Sequence, residues 1–124
     1  MKRVLLCAVS MLVACGIAYA DETAAAASSP KPLNADYVIY SGELGDQRVP
    51  TKSDRKLSIV VHGQPAKAIF DSLYPDMKVE CNTEQGERQR RKGEIWCIHA
   101  PKNGYMCFLG FDLRTGKSIA GGIC

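Results

Sequence analysis

Two histidines, His62 and His99, are the side chains of this 124-residue chain best suited to acid–base chemistry near neutral pH. A hydrolytic site would place one of them beside a carboxylate and a serine hydroxyl. The candidate partners are Asp71, Asp112, Ser41 and Ser118. Their spacing matches no catalytic motif, and neither Gly-x-Ser-x-Gly nor His-Glu-x-x-His occurs in the chain. We therefore expect a protein that is not an enzyme, with a small secreted hydrolase or toxin as an alternative.

Cysteine chemistry offers a second set of candidates. A metal site could draw on Cys81, Cys97, His99 and Cys107. The spacing of these residues does not match common zinc patterns, and the thiols of exported proteins are normally oxidised. The sequence therefore predicts disulfides rather than a metal site, and it predicts no cofactor.

Register arithmetic suggests how the cysteines pair. If residues 114–117 form a four-residue loop between two strands, Cys107 faces Cys124 across those strands. Cys81 and Cys97 flank the preceding connection and can pair in the same way. We expect the bridges Cys81–Cys97 and Cys107–Cys124, although four cysteines allow three pairings. Each bridge would add about 2–4 kcal/mol to the stability of a small domain.

The most concentrated charge lies in residues 88–92, which could contact an acidic partner. A turn at residues 101–104 places further polar and aromatic side chains at a hairpin tip. The candidate partner-binding residues are Arg88, Arg90, Arg91, Lys92, Lys102, Asn103 and Tyr105. The alternative is a solvated hairpin tip, because nearby glutamates weaken the positive field.

The first twenty residues have the order of a secretory signal peptide. Lys2 and Arg3 are followed by an apolar run, and the small residues of Ala18-Tyr19-Ala20 precede Asp21. The apolar run is short for a membrane span, which needs about 20 residues. We expect cleavage after Ala20 and a periplasmic or secreted product.

A lipoprotein signal is the alternative at this end of the chain. Leu12-Val13-Ala14-Cys15 resembles the bacterial lipoprotein box, in which the cysteine is lipidated and becomes the new N-terminus. Cys15 would then anchor the protein in the outer membrane. This is the one case in which we expect contact with a membrane.

Removal of the signal changes the charge of the chain. The full sequence has 16 basic and 13 acidic residues, and loss of Lys2 and Arg3 leaves 14 against 13, a net charge of +1. A nearly neutral exported domain is a poor candidate for binding nucleic acid. The remaining length suits one small domain rather than two.

The elements that position these residues form an expected α+β domain over residues 36–124, behind a disordered tail at residues 21–35. The sequence predicts a small antiparallel sheet, arranged as a hairpin meander with one helix packed on a face and stapled by disulfides. The expected strands are 36–42, 57–61, 77–82, 94–100, 105–113 and 118–124, with loops at 43–56, 83–93, 101–104 and 114–117. After Pro65, the spacing of Ala66, Ile69, Phe70 and Leu73 predicts a helix with one apolar face.

A small exported domain of this kind, without a catalytic set, is typical of envelope binding proteins. We expect a non-enzymatic protein, inhibitor- or immunity-like, that engages another protein through its hairpin loops. An outer-membrane lipoprotein with a structural or secretion and assembly role is the alternative. Ser41-Gly42 and Thr115-Gly116-Lys117 resemble short loop motifs of bacterial lysozyme inhibitors. Their order and surroundings differ from that family, so no residue role is carried over.

Overall fold

The computed structural model describes residues 29–80 and 84–124. The predicted signal peptide, most of the predicted tail, Cys15 and Cys81 lie outside these residues. The chain from Lys31 onward forms one compact unit. Its elements are β1 (Ala35–Glu43), β2 (Asp46–Arg48), β3 (Lys56–His62), α1 (Gly63–Ser72), β4 (Arg88–Lys92), β5 (Ile95–Ala100), β6 (Gly104–Asp112) and β7 (Ser118–Ile119).

All the strands belong to one antiparallel sheet, in the order β2-β1-β3-β6-β5-β4, with β7 paired to the far end of β6. One helix and an antiparallel sheet confirm the predicted α+β class. The sheet is not a simple meander, because α1 and β4–β5 separate β3 from its neighbour β6 in the chain. The two strands at the ends of the sheet are therefore the short β2 beside β1, and β4.

The helix packs against β3, β5 and β6 and buries the face that its sequence spacing predicts. Ala66, Phe70 and Leu73 are buried, and Ile69 packs against the same core. On the face of the sheet below the helix, they contact Val61 and the two buried cysteines Cys97 and Cys107. Burial of apolar side chains, at about 25 cal/mol per Å², holds the helix against this half of the sheet.

Several predicted elements differ from the structure. Residues 77–80 form no strand, and only Met77 makes a bridge, to Gln89. Part of the predicted loop 83–93 is the strand β4, and part of the loop 43–56 is β2. The predicted final strand ends at Ile119. The sequence does not predict β4 as a strand because four of its five residues are basic, a composition that an edge strand tolerates but that gives no apolar alternation in the sequence.

The predicted cysteine pairing is wrong. Cys97 and Cys107 lie directly opposite each other on β5 and β6, 4.0 Å apart between Cα atoms, and form a disulfide. Cys97 therefore cannot bridge Cys81, and Cys107 cannot bridge Cys124. The register between β6 and β7 differs from the predicted one by two residues, because Phe111 rather than Leu113 faces Ser118. Cys124 is also disulfide-bonded.

Candidate functional site

The predicted catalytic partners are not brought together. The His62 Nε2 lies 3.1 Å from Asp36, and the Ser41 hydroxyl donates to the carbonyl of Val49. The other candidate carboxylates have local partners, since Asp71 accepts from Lys67 and Asp112 accepts from the backbone N–H of Arg114. His99 stacks on Tyr105 with ring centroids 4.2 Å apart, and its Nδ1 is buried without a hydrogen-bond partner. No nucleophile–base–acid arrangement results among these side chains.

The basic segment is divided between the two faces of the sheet, because successive strand residues point to opposite sides. Arg88 and Arg90 lie over the Phe70 ring on the helix side. Arg91 lies over Trp96 on the other side, 5.2 Å from the ring centroid. Lys92 is exposed at the end of β4. The five residues of β4 therefore do not form a single positive surface.

Asp76 neutralises much of the charge on the helix side. Arg88 forms a two-pronged ion pair with its carboxylate, at 2.7 and 3.1 Å, and Arg90 donates to it at 2.6 Å. These hydrogen bonds, first from Arg88 and then from Arg90, lower the pKa of Asp76 to about 2. Arg90 is buried, so its role here is to support the fold rather than to contact a partner.

The predicted turns at 101–104 and 114–117 lie at opposite ends of β6. Lys102 and Asn103 are exposed in the β5–β6 turn, where Lys102 lies 3.9 Å from Glu84. The loop after β6, residues 113–117, is separated from that turn by the nine residues of β6, roughly 25–30 Å of strand. Tyr105 is half-buried against Phe70 and His99. The β5–β6 turn and the loop 113–117 are therefore too far apart to form one contact surface, and Tyr105 packs against the core beside the turn.

A different feature is open to solvent: the outer backbone edge of β1. The carbonyl of Asn34 accepts from His62 of β3, and the N–H and carbonyl of Gly42 face Asp54 and Lys56 on the same side. Even-numbered residues of β1 therefore point their backbone groups towards β3. By the alternation of an antiparallel pair, the odd-numbered residues point theirs outward.

These outward groups belong to Ala35, Tyr37 and Ile39, since β2 pairs with β1 only from Ser41 onward. Their N–H and carbonyl groups have no backbone partner in residues 29–80 and 84–124. We call the stretch Ala35–Ile39 with these groups the β1 edge. An unpaired strand edge is a template for another extended chain.

Apolar side chains surround the β1 edge. Tyr37 is 74% exposed and Ile39 43% exposed, on the same sheet face as the helix but beyond its reach. They line a groove of about 320 Å³ with Leu33, Leu57 and Ile59. Leu33, 62% exposed, also borders a second groove of about 530 Å³ beside the helix residues Pro65 and Ala68. The helix therefore covers only half of its sheet face, and the other half is an apolar surface next to free backbone groups.

The β1 edge lacks the protection that the opposite edge of the sheet has. Charged residues and proline discourage strand addition. β4 has four basic residues among its five and is bridged through Gln89 to Met77. The β1 edge has one charged residue, Asp36, and no proline. Of these two edges of the sheet, the β1 edge is therefore the one suited to accept an added strand.

The strand predicted at residues 36–42 is found as β1, in which Tyr37 and Tyr40 project to opposite faces of the sheet and are exposed and buried, respectively. The sequence does not identify β1 as the open edge, because strand order is not a local property. The sequence does contain one usable signal. Ala35–Tyr40 has apolar side chains on both faces, whereas a strand with one buried face needs them on one face only.

Neither a metal cluster nor a membrane-spanning helix is found in the part of the chain that the structure describes. No group of three or more His, Cys, Asp or Glu side chains in residues 29–80 and 84–124 is arranged to hold a metal ion. Among the same residues, no helix is both long and apolar enough to cross a bilayer.

The chain matches no family model, no curated protein and no solved structure.

Proposed function

We propose that this protein is an exported, non-enzymatic binding protein that takes an extended segment of another envelope protein as an added strand along the β1 edge. The observation that carries the proposal is the coincidence of free backbone groups at Ala35, Tyr37 and Ile39 with exposed apolar side chains beside them. In strand addition, backbone hydrogen bonds give affinity, and pockets beside the strand select side chains.

The grooves define the kind of segment that fits. Leu57 and Ile59 form the floor beside Tyr37 and Ile39, with few polar groups nearby. Alternate side chains of an added strand would point to this apolar face. The preferred segment therefore has apolar or aromatic residues at every second position. Inhibition of an enzyme or neutralisation of a toxin would follow if that segment belongs to an active-site or translocating region.

This proposal moves the binding surface away from the hairpin loops. Arg88 and Arg90 are engaged by Asp76, and the turn at 101–103 and the loop at 113–117 lie at opposite ends of β6. Lys102 and Asn103 stay candidates for a peripheral contact, since both are exposed. Within residues 29–80 and 84–124, the β1 edge is the surface that combines unpaired backbone groups with exposed apolar side chains.

Export is part of the proposal and has its own test. The signal-like residues 1–20 and the buried Cys97–Cys107 bridge support an oxidising compartment outside the cytoplasm. Mass spectrometry of the mature N-terminus separates the two processing routes. A start at Asp21 supports a free periplasmic or secreted protein, and a diacylated Cys15 supports the lipoprotein alternative.

Photo-crosslinking from the β1 edge tests the binding function. A photoreactive phenylalanine at position 37 is expected to capture a distinct protein in intact envelopes. The same group at Tyr74, which is 73% exposed against 74% for Tyr37, is the matched control and should not capture it. A third probe at Lys102 tests the hairpin loops.

Capture must depend on the edge to support the proposal. Ile39→Pro removes one outward N–H and should abolish capture by a probe at position 37, with the fold retained by circular dichroism. Equal capture from positions 37 and 74, or capture only from position 102, would contradict binding at the β1 edge.

A further inference from the structure

We infer that, without another partner, the β1 edge is occupied by a second copy of this chain, paired antiparallel about a two-fold axis at Tyr37. The inference rests on the proposed binding edge and names its resting occupant. The homodimer would block the site until a partner segment displaces the second copy.

The free stretch is symmetric about Tyr37. β1 begins at Ala35, and β2 closes its outer side from Ser41 onward, so the open strand residues Ala35, Tyr37 and Ile39 are centred on position 37. A two-fold axis there pairs Tyr37 with Tyr37 of the second copy and Ala35 with Ile39. Each of these pairs exchanges two backbone hydrogen bonds in an antiparallel ladder. All three outward residues of both copies are thereby satisfied, and no open position is left over.

Charge does not oppose this register. Asp36 is the one charged side chain of the β1 edge, and the axis places it opposite Val38 of the second copy rather than opposite another Asp36. Asp36 is also next to His62 of its own chain, at 3.1 Å. Like charges directly opposite would destabilise the pair, and this register avoids them.

Apolar surface is covered in both copies. Tyr37 of one copy would lie beside Tyr37 of the other, and Ile39 beside Ala35, and these side chains would extend the floor formed by Leu57 and Ile59. The exposed parts of Leu33, Tyr37, Val38 and Ile39 amount to roughly 400 Å² per copy. Two copies would cover roughly 800 Å² of this surface, less than the 1,200 Å² or more of a stable specific interface. The dimer is therefore weak and reversible, as a displaceable occupant must be.

Oligomeric state is the first measurement. Sedimentation velocity of the mature protein from about 5 to 500 µM should show a monomer–dimer equilibrium with a dissociation constant in the micromolar range or weaker. Ile39→Thr should weaken the dimer about threefold or more, and Ile39→Pro by at least about tenfold. Leu113→Thr is the matched control, because Leu113 is 41% exposed against 43% for Ile39 and lies in a distant loop. It should change the constant less than about twofold.

Cysteine scanning tests the axis itself. The Cα atoms of directly opposed hydrogen-bonded residues lie about 5.5 Å apart, within disulfide range. Tyr37→Cys should therefore form a symmetric intermolecular disulfide in a glutathione redox buffer. Val38→Cys and Ile39→Cys should not form such a bridge, because the introduced cysteine would lie opposite a different residue of the second copy and not opposite its equivalent cysteine. A bridge at position 38 with none at 37 would overturn the assigned axis.

The two proposals fail in different ways. A protein that stays monomeric to 500 µM, with no bridge through Tyr37→Cys, overturns the homodimer. Capture of a distinct protein from position 37 would still support the binding function in that case. Conversely, a dimer whose position-37 probe captures only the second copy in intact envelopes supports the inference and contradicts a separate partner.

Discussion

Arg90 contacts Phe70 twice. Its guanidinium lies 4.2 Å from the centroid of the Phe70 ring, and its Nη1 donates to the backbone carbonyl of the same residue at 2.9 Å. Phe70 is in the last turns of α1 and is fully buried. One side chain of β4 therefore covers the aromatic core and also satisfies a carbonyl at the C-terminal end of the helix, where positive charge is favourable.

Replacement of Arg90 by lysine is expected to destabilise the fold by about 1–3 kcal/mol, because an ammonium cannot stack and donate in several directions as a guanidinium does. Chemical denaturation of the mature protein measures the change. Arg91→Lys is the matched control, since Arg91 is exposed on the other face of the same strand, and it should cost about 0.5 kcal/mol or less. Equal losses for the two variants would contradict the role assigned to Arg90.

Asp76 is expected to make stability depend on acid pH. Hydrogen bonds from Arg88 and then Arg90 lower its pKa from 3.8 to about 2 in the folded protein. Since the folded state binds the proton less readily than the unfolded state, Asp76 stabilises the fold above about pH 4. That contribution is lost as the pH falls from about 4 to about 2.

Asp76→Asn tests this dependence. It should lower stability at pH 7 by about 1–3 kcal/mol, because the buried Arg90 loses its counter-ion, with a discount for the 38% exposure of the Asp76 side chain. The variant should also lose less stability than the native protein between pH 4 and pH 2. Asp71→Asn, which breaks an exposed pair with Lys67, is the control. If the two variants have the same acid profile, Asp76 does not have this role.

Much of the fold follows from local patterns. The spacing of Ala66, Phe70 and Leu73 predicts the helix and its buried face because helical periodicity depends only on neighbouring residues. The apolar strands β3, β5 and β6 are predicted for the same reason. The β5–β6 turn also contains the signal for the observed bridge, since a three-residue loop at 101–103 places Cys97 opposite Cys107.

The candidate site was harder to predict because it depends on strand order. Whether Tyr37 lies at an edge is decided by the distant strands β2 and β3, and no residue near Tyr37 encodes it. Likewise, the charge of the segment that contains Arg88 and Arg90 predicts a solvated loop. In the structure both arginines bind Asp76, which lies more than ten residues away in the chain. Long-range pairing of polar groups leaves no periodic trace in the sequence.

The disulfides can be assigned by peptide mapping of the mature protein under non-reducing conditions. One linked pair should contain Cys97 and Cys107. Cys124 is also disulfide-bonded, and we expect its peptide to be linked to that of Cys81, because both signal-processing routes leave no other cysteine thiol. A linkage of Cys97 to Cys81 would contradict the observed register of β5 and β6.

Loss of the Cys97–Cys107 bridge should lower stability without changing the fold. The bridge closes a loop of ten-residue separation, for which the chain-entropy model gives about 2–3 kcal/mol. Replacement of both cysteines by alanine adds a packing loss, because both sulfurs are buried. Thermal denaturation of the double variant, compared with the native protein, measures the sum.

The C-terminal segment should be among the parts of the chain least tolerant of added volume. A Cβ atom on Gly121 would lie 2.2 Å from the carbonyl carbon and oxygen of Leu109, and the Gly121 carbonyl accepts from the buried Ser58 hydroxyl at 2.7 Å. Because those neighbours are backbone atoms of a central strand, they cannot move aside. Gly121→Ala should therefore destabilise the protein by about 2–3 kcal/mol or displace the C-terminal segment. Ala120→Ser, at the exposed neighbouring position, should change stability by less than about 0.5 kcal/mol. Denaturation midpoints of the two variants decide the matter, and a Gly121→Ala protein as stable as the native one would show that this segment does not pack against β6 in solution.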